Sequence, residues 1–181
     1  NAITAGRLVL SPVMFWAIPE HTRGSWISFL LWFALSASDG IDGWLARRHG
    51  TTRSGAFLDP LADKVLILGA MFTLVGNGVF WLLPVVIIAA RELIISVYRS
   101  VVGARGVSMP ASKPAKYKTV AQQFAVGFAL LPLTALDATW LWKGWLWLAV
   151  VLSVYSGAQY FLAAKTRRPA DLVATEAGSG A

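Results

Sequence analysis

The 181-residue chain is 56% hydrophobic and 14% charged, and it contains nine tryptophans and no cysteine. A soluble domain of this size has too much surface to hide so much apolar material, so the composition excludes a soluble globular protein, and the missing cysteine excludes disulfides. The net charge of +7 is typical of a membrane protein whose cytoplasmic rim faces anionic lipid headgroups, so no nucleic-acid partner is expected.

Apolar runs, taken in chain order, predict an all-α integral membrane protein with six transmembrane helices. The run over residues 65–90 is too long for one span and too short for two, and Asn77-Gly78 near its middle is a strong turn signal. This run is therefore expected to form a helical hairpin. The six predicted helices cover about residues 4–19, 24–46, 57–76, 79–102, 119–136 and 144–164, and polar loops are expected at 47–55 and 103–118.

The basic residues predict the orientation of these helices. An even number of spans places both termini on the same side. That side and its loops carry twelve Lys and Arg residues, whereas the opposite side carries only Arg23 and Lys143. Because positive charge accumulates in the cytoplasm, we expect a multi-pass protein of the cytoplasmic (inner) membrane with both termini in the cytoplasm. Residues 1–168 form the single predicted transmembrane domain, and the small polar residues of 169–181 predict a disordered tail.

Five acidic residues lie within or beside the apolar runs, where a charge costs several kcal/mol: Asp39, Asp42, Asp59, Asp63 and Glu92. On helices the first two are i, i+3 neighbours and the next two are i, i+4 neighbours, and the short connection between them makes the pairs face each other. Four carboxylates this close repel one another unless cations neutralise them. Mg²⁺ and Mn²⁺ prefer such oxygen ligands and also bind substrate phosphates, so the pattern predicts a divalent metal site.

Small residues surround the acids in the sequence. Gly40, Gly43, Ala46 and Gly55 leave space for a ligand beside the helix backbone, and Arg47 follows one turn after Gly43, within reach of a diphosphate. Two other readings stay open for these residues taken alone: helix packing through small side chains, and a proton or cation pathway lined by the carboxylates. The joint spacing, DxxDGxxAR, seven residues and then GxxxDxxxD, favours a substrate site over both.

This spacing resembles the signature of the CDP-alcohol phosphotransferase family, integral membrane enzymes of phospholipid synthesis. The resemblance implies a six-helix fold with two divalent cations, Mg²⁺ or Mn²⁺, on the cytoplasmic side, and it also implies a possible homodimer. It assigns metal binding to Asp39, Asp42, Asp59 and Asp63, and gives Asp63 the further role of general base. It assigns the cytidine and diphosphate of the CDP-lipid to Gly40, Gly43, Ala46, Arg47 and Gly55.

Further segments are similar to those of the phosphatidylglycerophosphate synthases within this family: Asn1-x-x-Thr4-x-x-Arg7, Arg91-Glu92-Leu93 with Ser96 and Arg99, and Lys116-Tyr117-Lys118-Thr119 with Gln122. The resemblance adds Asn1, Thr4 and Arg7 to the CDP-lipid site.

Chemistry supports the same acceptor. Cations at Arg91, Arg99, Lys116 and Lys118 suit a phosphomonoester and have no use for an uncharged alcohol. Two alternatives are a structural ion pair between Arg91 and Glu92, and a rim of lysines that contacts lipid headgroups.

The expected reaction is transfer of the phosphatidyl group from CDP-diacylglycerol to sn-glycerol 3-phosphate. Metal-assisted direct displacement would give phosphatidylglycerol phosphate and CMP. One alternative within the family is an acceptor such as inositol phosphate, or phosphatidylglycerol in cardiolipin synthesis. The alternative from another class is a small cation transporter that uses the four aspartates.

Overall fold

The structure is a computed structural model, and it describes residues 2–20, 24–49, 53–104 and 113–166. Within these ranges the chain forms helices and turns and has no β-strand. There are six long helices, of 16 to 28 residues, and one single-turn helix that lies between the last two of them. In chain order they are α1 (Ala2–Ala17), α2 (Trp26–His49), α3 (Arg53–Gly76), α4 (Leu82–Ala104), α5 (Lys113–Leu130), α6 (Pro132–Ala135) and α7 (Thr139–Thr166). The all-α prediction is confirmed for the described residues.

The helices extend further into the polar segments than predicted. The expected loop over 47–55 is wrong at both ends, because α2 continues to His49 and α3 begins at Arg53. The expected loop over 103–118 is also too long, since α5 begins at Lys113. Hydropathy detects only the apolar part of a helix, whereas straight-chain Lys and Arg residues continue a helix beyond it without penalty.

The predicted turn between α3 and α4 is confirmed at Asn77-Gly78. Gly78 has a φ of +73°, a conformation that residues with a side chain rarely adopt. The Asn77 amide nitrogen Nδ2 donates to the backbone carbonyls of Ile18 and Pro19, at 3.3 and 3.1 Å. This turn therefore also holds the segment that follows α1.

The fifth long helix ends earlier than predicted. Pro132 begins α6 and has no N–H to continue α5, so α5 stops at Leu130 rather than near residue 136. The carbonyl of Leu130, the last residue of α5, accepts a hydrogen bond from the amide of Ser25 at 2.9 Å. A Cβ on Gly24 would lie 2.8 Å from the same carbonyl, so the start of α2 packs directly on the end of α5 and needs a glycine there.

The interior of the bundle is filled by large apolar side chains from the six long helices, among them Met14, Trp32, Leu66, Met71, Ile88, Val126 and Leu146. α5 packs along α7, α1 packs against α3 and α2, and α4 packs against α7. On α5 the buried residues Ala121, Ala125 and Ala129 recur at every fourth position. Small side chains at this spacing allow the close helix contacts that membrane bundles use.

The outside of the bundle is also apolar, with exposed residues such as Trp16, Ile27, Leu83, Leu93 and Val151. An apolar exterior of this extent is typical of a protein embedded in lipid. By length and composition, Thr139–Leu162 within α7 is the helix of the described chain that could cross a membrane, and Trp26–Ser38 is a shorter apolar helix. The six-span topology and the side of the termini therefore stay predictions, and the predicted tail at 169–181 lies outside the described residues.

Candidate active site

The four aspartates of the motif lie on the two helices that flank residues 50–52. Asp39 and Asp42 belong to α2, and Asp59 and Asp63 belong to α3. On α2, Asp42 and Asp39 lie seven and ten residues before the last residue, His49. On α3, Asp59 and Asp63 lie six and ten residues after the first residue, Arg53. At about 1.5 Å per residue, Asp42 and Asp59 lie about 10 Å from these helix ends, and Asp39 and Asp63 lie about 15 Å from them. The aspartates of α2 and those of α3 thus lie at similar distances, along their own helices, from the ends that flank residues 50–52.

Asp63 is the one aspartate of the motif whose side chain is described, and it is half-buried. It interacts electrostatically with Lys64 and with Lys118 of α5. Lys64 in turn interacts with Arg91 and Arg99 of α4, and Lys118 interacts with Arg91. We call Lys64, Arg91, Arg99 and Lys118 the basic cluster. Three helices contribute to it, and it lies beside Asp63, to which the family resemblance assigns the role of general base.

Glu92 is buried inside the basic cluster. Its Oε1 pairs with Nζ of Lys118, and the same oxygen lies 3.4 Å from Nη1 of Arg91. The side chains of these three residues are only 6% to 10% exposed. One carboxylate oxygen thus serves two cations and links α4 to α5. Since Arg99 and Lys64 add further positive charge, the site retains an excess of positive charge suited to an anionic ligand.

Arg91 is held from a second side by α7. Its Nη2 donates to Oγ of Ser156 at 2.9 Å, and its guanidinium carbon lies 5.9 Å from the centroid of the Tyr160 ring. Its Nε is buried without a hydrogen-bond partner. An orphaned buried donor is costly in a folded protein, and an anionic ligand would satisfy it.

The other residues of the predicted acceptor pocket differ in exposure. Lys118 is 4% exposed, whereas Lys116 and Arg99 are exposed. Lys116 lies on a different face of α5 from Lys118 and has no described contact with the basic cluster. The structure therefore brings Arg91, Arg99 and Lys118 together and leaves Lys116 apart.

The residues predicted for the CDP-lipid fall largely on α1, α2 and α3. Arg7 is buried in α1, and its carbonyl accepts a hydrogen bond from Ser11 Oγ at 2.7 Å. Thr4 also lies on α1, and Gly40, Gly43, Ala46, Arg47 and Gly55 lie on α2 and α3. The side chain of Thr4, those of residues 39–60, and Asn1 as a whole fall outside the described part of the chain.

Lys64, Ser156 and Tyr160 were missed in the sequence, although each contacts or joins the predicted site. A signal existed for Lys64, because a lysine inside an apolar helix costs as much as the acids that were singled out. No comparable signal marked Ser156 or Tyr160, because both contact Arg91 from positions at least 65 residues further along the sequence.

A divalent metal suits the donor set of the motif. Carboxylates such as the four of the motif are the hard oxygen ligands that Mg²⁺ and Mn²⁺ prefer. Among the residues whose side chains are described, no group of three metal-binding side chains occurs; those of Asp39, Asp42 and Asp59 are not among them. The metal site therefore stays a prediction, which rests on the sequence motif and on the positions of its four aspartates in α2 and α3.

Over most of its length the chain is similar to proteins of one known family. The sequence model of the CDP-alcohol phosphatidyltransferase family matches residues 1–155. A probable phosphatidylglycerophosphate synthase of Mycobacterium tuberculosis is 38% identical over 141 residues, which cover 74% of this chain and 66% of the relative, slightly under two thirds of its length. A CDP-diacylglycerol–glycerol-3-phosphate 3-phosphatidyltransferase of Haemophilus influenzae is 33% identical over 90% of this chain and 91% of its own length. One from Rickettsia felis is 31% identical over 91% and 94%. The chain belongs to the CDP-alcohol phosphatidyltransferase family.

Proposed function

We propose that the protein transfers the phosphatidyl group of CDP-diacylglycerol to sn-glycerol 3-phosphate, giving phosphatidylglycerol phosphate and CMP. The relatives of similar length carry this activity in their names. The single observation that carries the choice of acceptor is the basic cluster beside Asp63. An alcohol without a phosphate gives these partly buried cations nothing to bind, whereas a phosphomonoester satisfies several of them at once.

The acceptor's phosphate binds to Arg91, Lys118, Lys64 and Arg99, in the charge left over after Glu92 has paired with two of them. Arg91 offers the phosphate its orphaned Nε. This placement directs the glycerol hydroxyl toward Asp63, which interacts with Lys64 and Lys118 of the same cluster. Phosphate binding thus positions the nucleophile next to its base.

The CDP-lipid occupies the other half of the site. Gly40, Gly43, Ala46 and Gly55 leave room for the nucleotide along α2 and α3, and Arg47 binds the diphosphate. The resemblance adds Asn1, Thr4 and Arg7 from the start of the chain. Two divalent cations held by Asp39, Asp42, Asp59 and Asp63 would neutralise charge on the diphosphate.

Asp63 takes the proton of the primary hydroxyl of the acceptor. The hydroxyl oxygen then forms a bond to the β-phosphorus of the CDP-lipid, and the bond from that phosphorus to the bridging oxygen breaks, so CMP leaves with the electron pair. Arg47 and the basic cluster hold the two substrates in line during the displacement.

The same proposal places the protein across the cytoplasmic membrane six times, with both termini and the active site in the cytoplasm. The twelve-to-two distribution of basic residues supports this orientation. It matches the chemistry, because sn-glycerol 3-phosphate and CMP are water-soluble and the lipid tails need lateral access to the bilayer. A homodimer stays an expectation from the family resemblance.

The deciding experiment measures CMP release from CDP-diacylglycerol by the purified protein with Mg²⁺ or Mn²⁺. The alcohols tested are sn-glycerol 3-phosphate, inositol phosphate and phosphatidylglycerol. We expect turnover with the first alone. Turnover with either of the others, and none with sn-glycerol 3-phosphate, would contradict the proposed acceptor. Metal flux into liposomes without any CDP-lipid, together with no CMP release, would favour the cation transporter.

The role of Asp63 is tested by Asp63→Asn, which keeps the size of the side chain and removes the base. We expect kcat to fall by about 10²–10⁴, the usual contribution of a general base, while CDP-lipid binding persists. Asp137→Asn, at an exposed acid far along the chain in the α6–α7 turn, is the matched control and should leave kcat unchanged. Equal activity of the two variants would refute the assignment.

A further inference from the structure

Helix α7, which contains the candidate membrane span Thr139–Leu162, carries polar residues that are directed at the basic cluster. Ser156 of α7 accepts a hydrogen bond from Arg91 at 2.9 Å, and Tyr160, one turn later, presents its ring to the guanidinium at 5.9 Å. Both residues are buried, with Tyr160 8% exposed and Ser156 fully covered. Buried polar groups on a lipid-crossing helix cost free energy unless they have partners, so polar residues at these positions suggest a functional role.

Gly157 makes room for the same side chain. A Cβ at this position would lie 3.4 Å from Cγ and 3.9 Å from Nε of Arg91. The glycine therefore lets the arginine stem and the orphaned Nε lie against the backbone of α7.

These contacts fix the plane of the guanidinium. Arginine has many rotamers, and a single partner leaves the group free to rotate about its last bonds. In this site Glu92 holds Nη1, Ser156 holds Nη2 and the Tyr160 ring covers one face. Anchors on α4 and α7 together leave one orientation, in which Nε is the donor without a partner.

We propose that Ser156, Gly157 and Tyr160 are positioning residues that fix the orientation of Arg91 for the phosphate of the acceptor. This inference rests on the proposed function, because it needs Arg91 to bind the acceptor. The three residues act through Arg91, which is the residue of another helix that their described polar and ring contacts reach. Their loss therefore weakens acceptor binding selectively, and α7 becomes a determinant of acceptor recognition.

Ser156→Ala tests the inference, with Ser153→Ala as the matched control. Ser153 lies one turn earlier on α7, is fully buried, and its Oγ has no hydrogen-bond partner. Both substitutions remove one buried hydroxyl from the same helix, but only the first removes a contact with Arg91. Since a hydrogen bond to a charged group is worth about tenfold or more in binding, we expect Ser156→Ala to raise the KM for sn-glycerol 3-phosphate about tenfold. The KM for CDP-diacylglycerol should stay within about twofold of the wild type.

Tyr160 supplies a second, independent variant. Tyr160→Phe keeps the ring under Arg91 and should retain most of the acceptor affinity, whereas Tyr160→Leu removes the ring and should raise the acceptor KM about three- to tenfold. Rescue by phenylalanine separates the ring contact from general loss of packing, because leucine also fills the space with apolar atoms.

The outcomes separate this inference from the proposed function. Wild-type protein that releases no CMP with sn-glycerol 3-phosphate overturns the proposed function, and the inference falls with it. Active wild type, together with equal acceptor KM values for Ser156→Ala and Ser153→Ala, overturns the inference alone. A parallel rise in both substrate KM values for Ser156→Ala would also overturn it, since that result marks a structural role.

Discussion

Replacement of Glu92 by Gln is expected to destabilise the protein in a way that phosphate corrects. The substitution preserves side-chain size and removes one negative charge from a site where the partners are 6% to 10% exposed. Nζ of Lys118 and Nη1 of Arg91 then lose the carboxylate oxygen that they share. Both cations stay buried beside further positive charge, which is the costly arrangement.

The magnitude follows from the burial of the pair. Removing one partner of a buried ion pair costs about 3–5 kcal/mol, because the other charge stays desolvated without compensation. For a chain of this length, about 3 kcal/mol lowers Tm by about 6–12 °C. A bound phosphate dianion replaces the missing charge, and a ligand at 100 times its Kd contributes about 2.7 kcal/mol. Saturating sn-glycerol 3-phosphate should therefore recover most of the loss.

Thermal unfolding followed by tryptophan fluorescence suits this chain, which has nine tryptophans. Glu20→Gln makes the same chemical change at an exposed residue and serves as the control. Two results would refute the reasoning: a Tm for Glu92→Gln within roughly 2 °C of that of Glu20→Gln, or a stabilisation by sn-glycerol 3-phosphate no larger than in the wild type. Either would mean that Glu92 does not hold the charge balance of the basic cluster.

Three further predictions follow from the site and the packing. Lys118→Met should raise the KM for sn-glycerol 3-phosphate by about tenfold or more, whereas Lys116→Met, at an exposed position, should change it about twofold or less in the same CMP-release assay. Chelation of divalent cations by EDTA should abolish CMP release, and added Mg²⁺ or Mn²⁺ should restore it; full activity in EDTA would contradict the metal site. Gly69→Ala should cost about 1–3 kcal/mol of stability in thermal unfolding, because its Cβ would lie 2.2 Å from the ring of Phe15, while Gly144→Ala, with open space around it, should be neutral or slightly stabilising.

The helical bundle was largely predictable because apolar runs and turn signals indicate directly where apolar helices lie and where they end. The Asn77-Gly78 turn was predicted from two residues, and the structure adds only its contact with the segment after α1. The extents of α2, α3 and α5 were not predictable in this way. Residues such as Lys113 have the polarity of a loop and the propensity of a helix, and hydropathy registers only the first.

The candidate site was predictable to the extent that local spacing encodes it. The aspartates of α2 and α3 form a dense motif, and Arg91 and Lys118 stood out as cations beside apolar runs. Their partners did not stand out. Ser156 contacts Arg91 across 65 residues of sequence, and a single serine in an apolar helix has the same appearance whether it packs, hydrogen-bonds its own backbone or holds an arginine. Only the packing of α4 against α7 distinguishes these cases.

The two substrates of the proposed reaction meet at Asp63 but depend on different helices. The CDP-lipid residues lie mainly on α1, α2 and α3, while the cations for the acceptor come from α3, α4 and α5, with support from α7. Without acceptor, the basic cluster holds more positive charge than Glu92 neutralises, and the buried Nε of Arg91 lacks a partner. Both are unfavourable in the free protein and are relieved by a phosphate. Part of the acceptor's affinity thus comes from its phosphate, which compensates the excess positive charge and the unpartnered donor on α4. An alcohol without a phosphate could not provide this compensation.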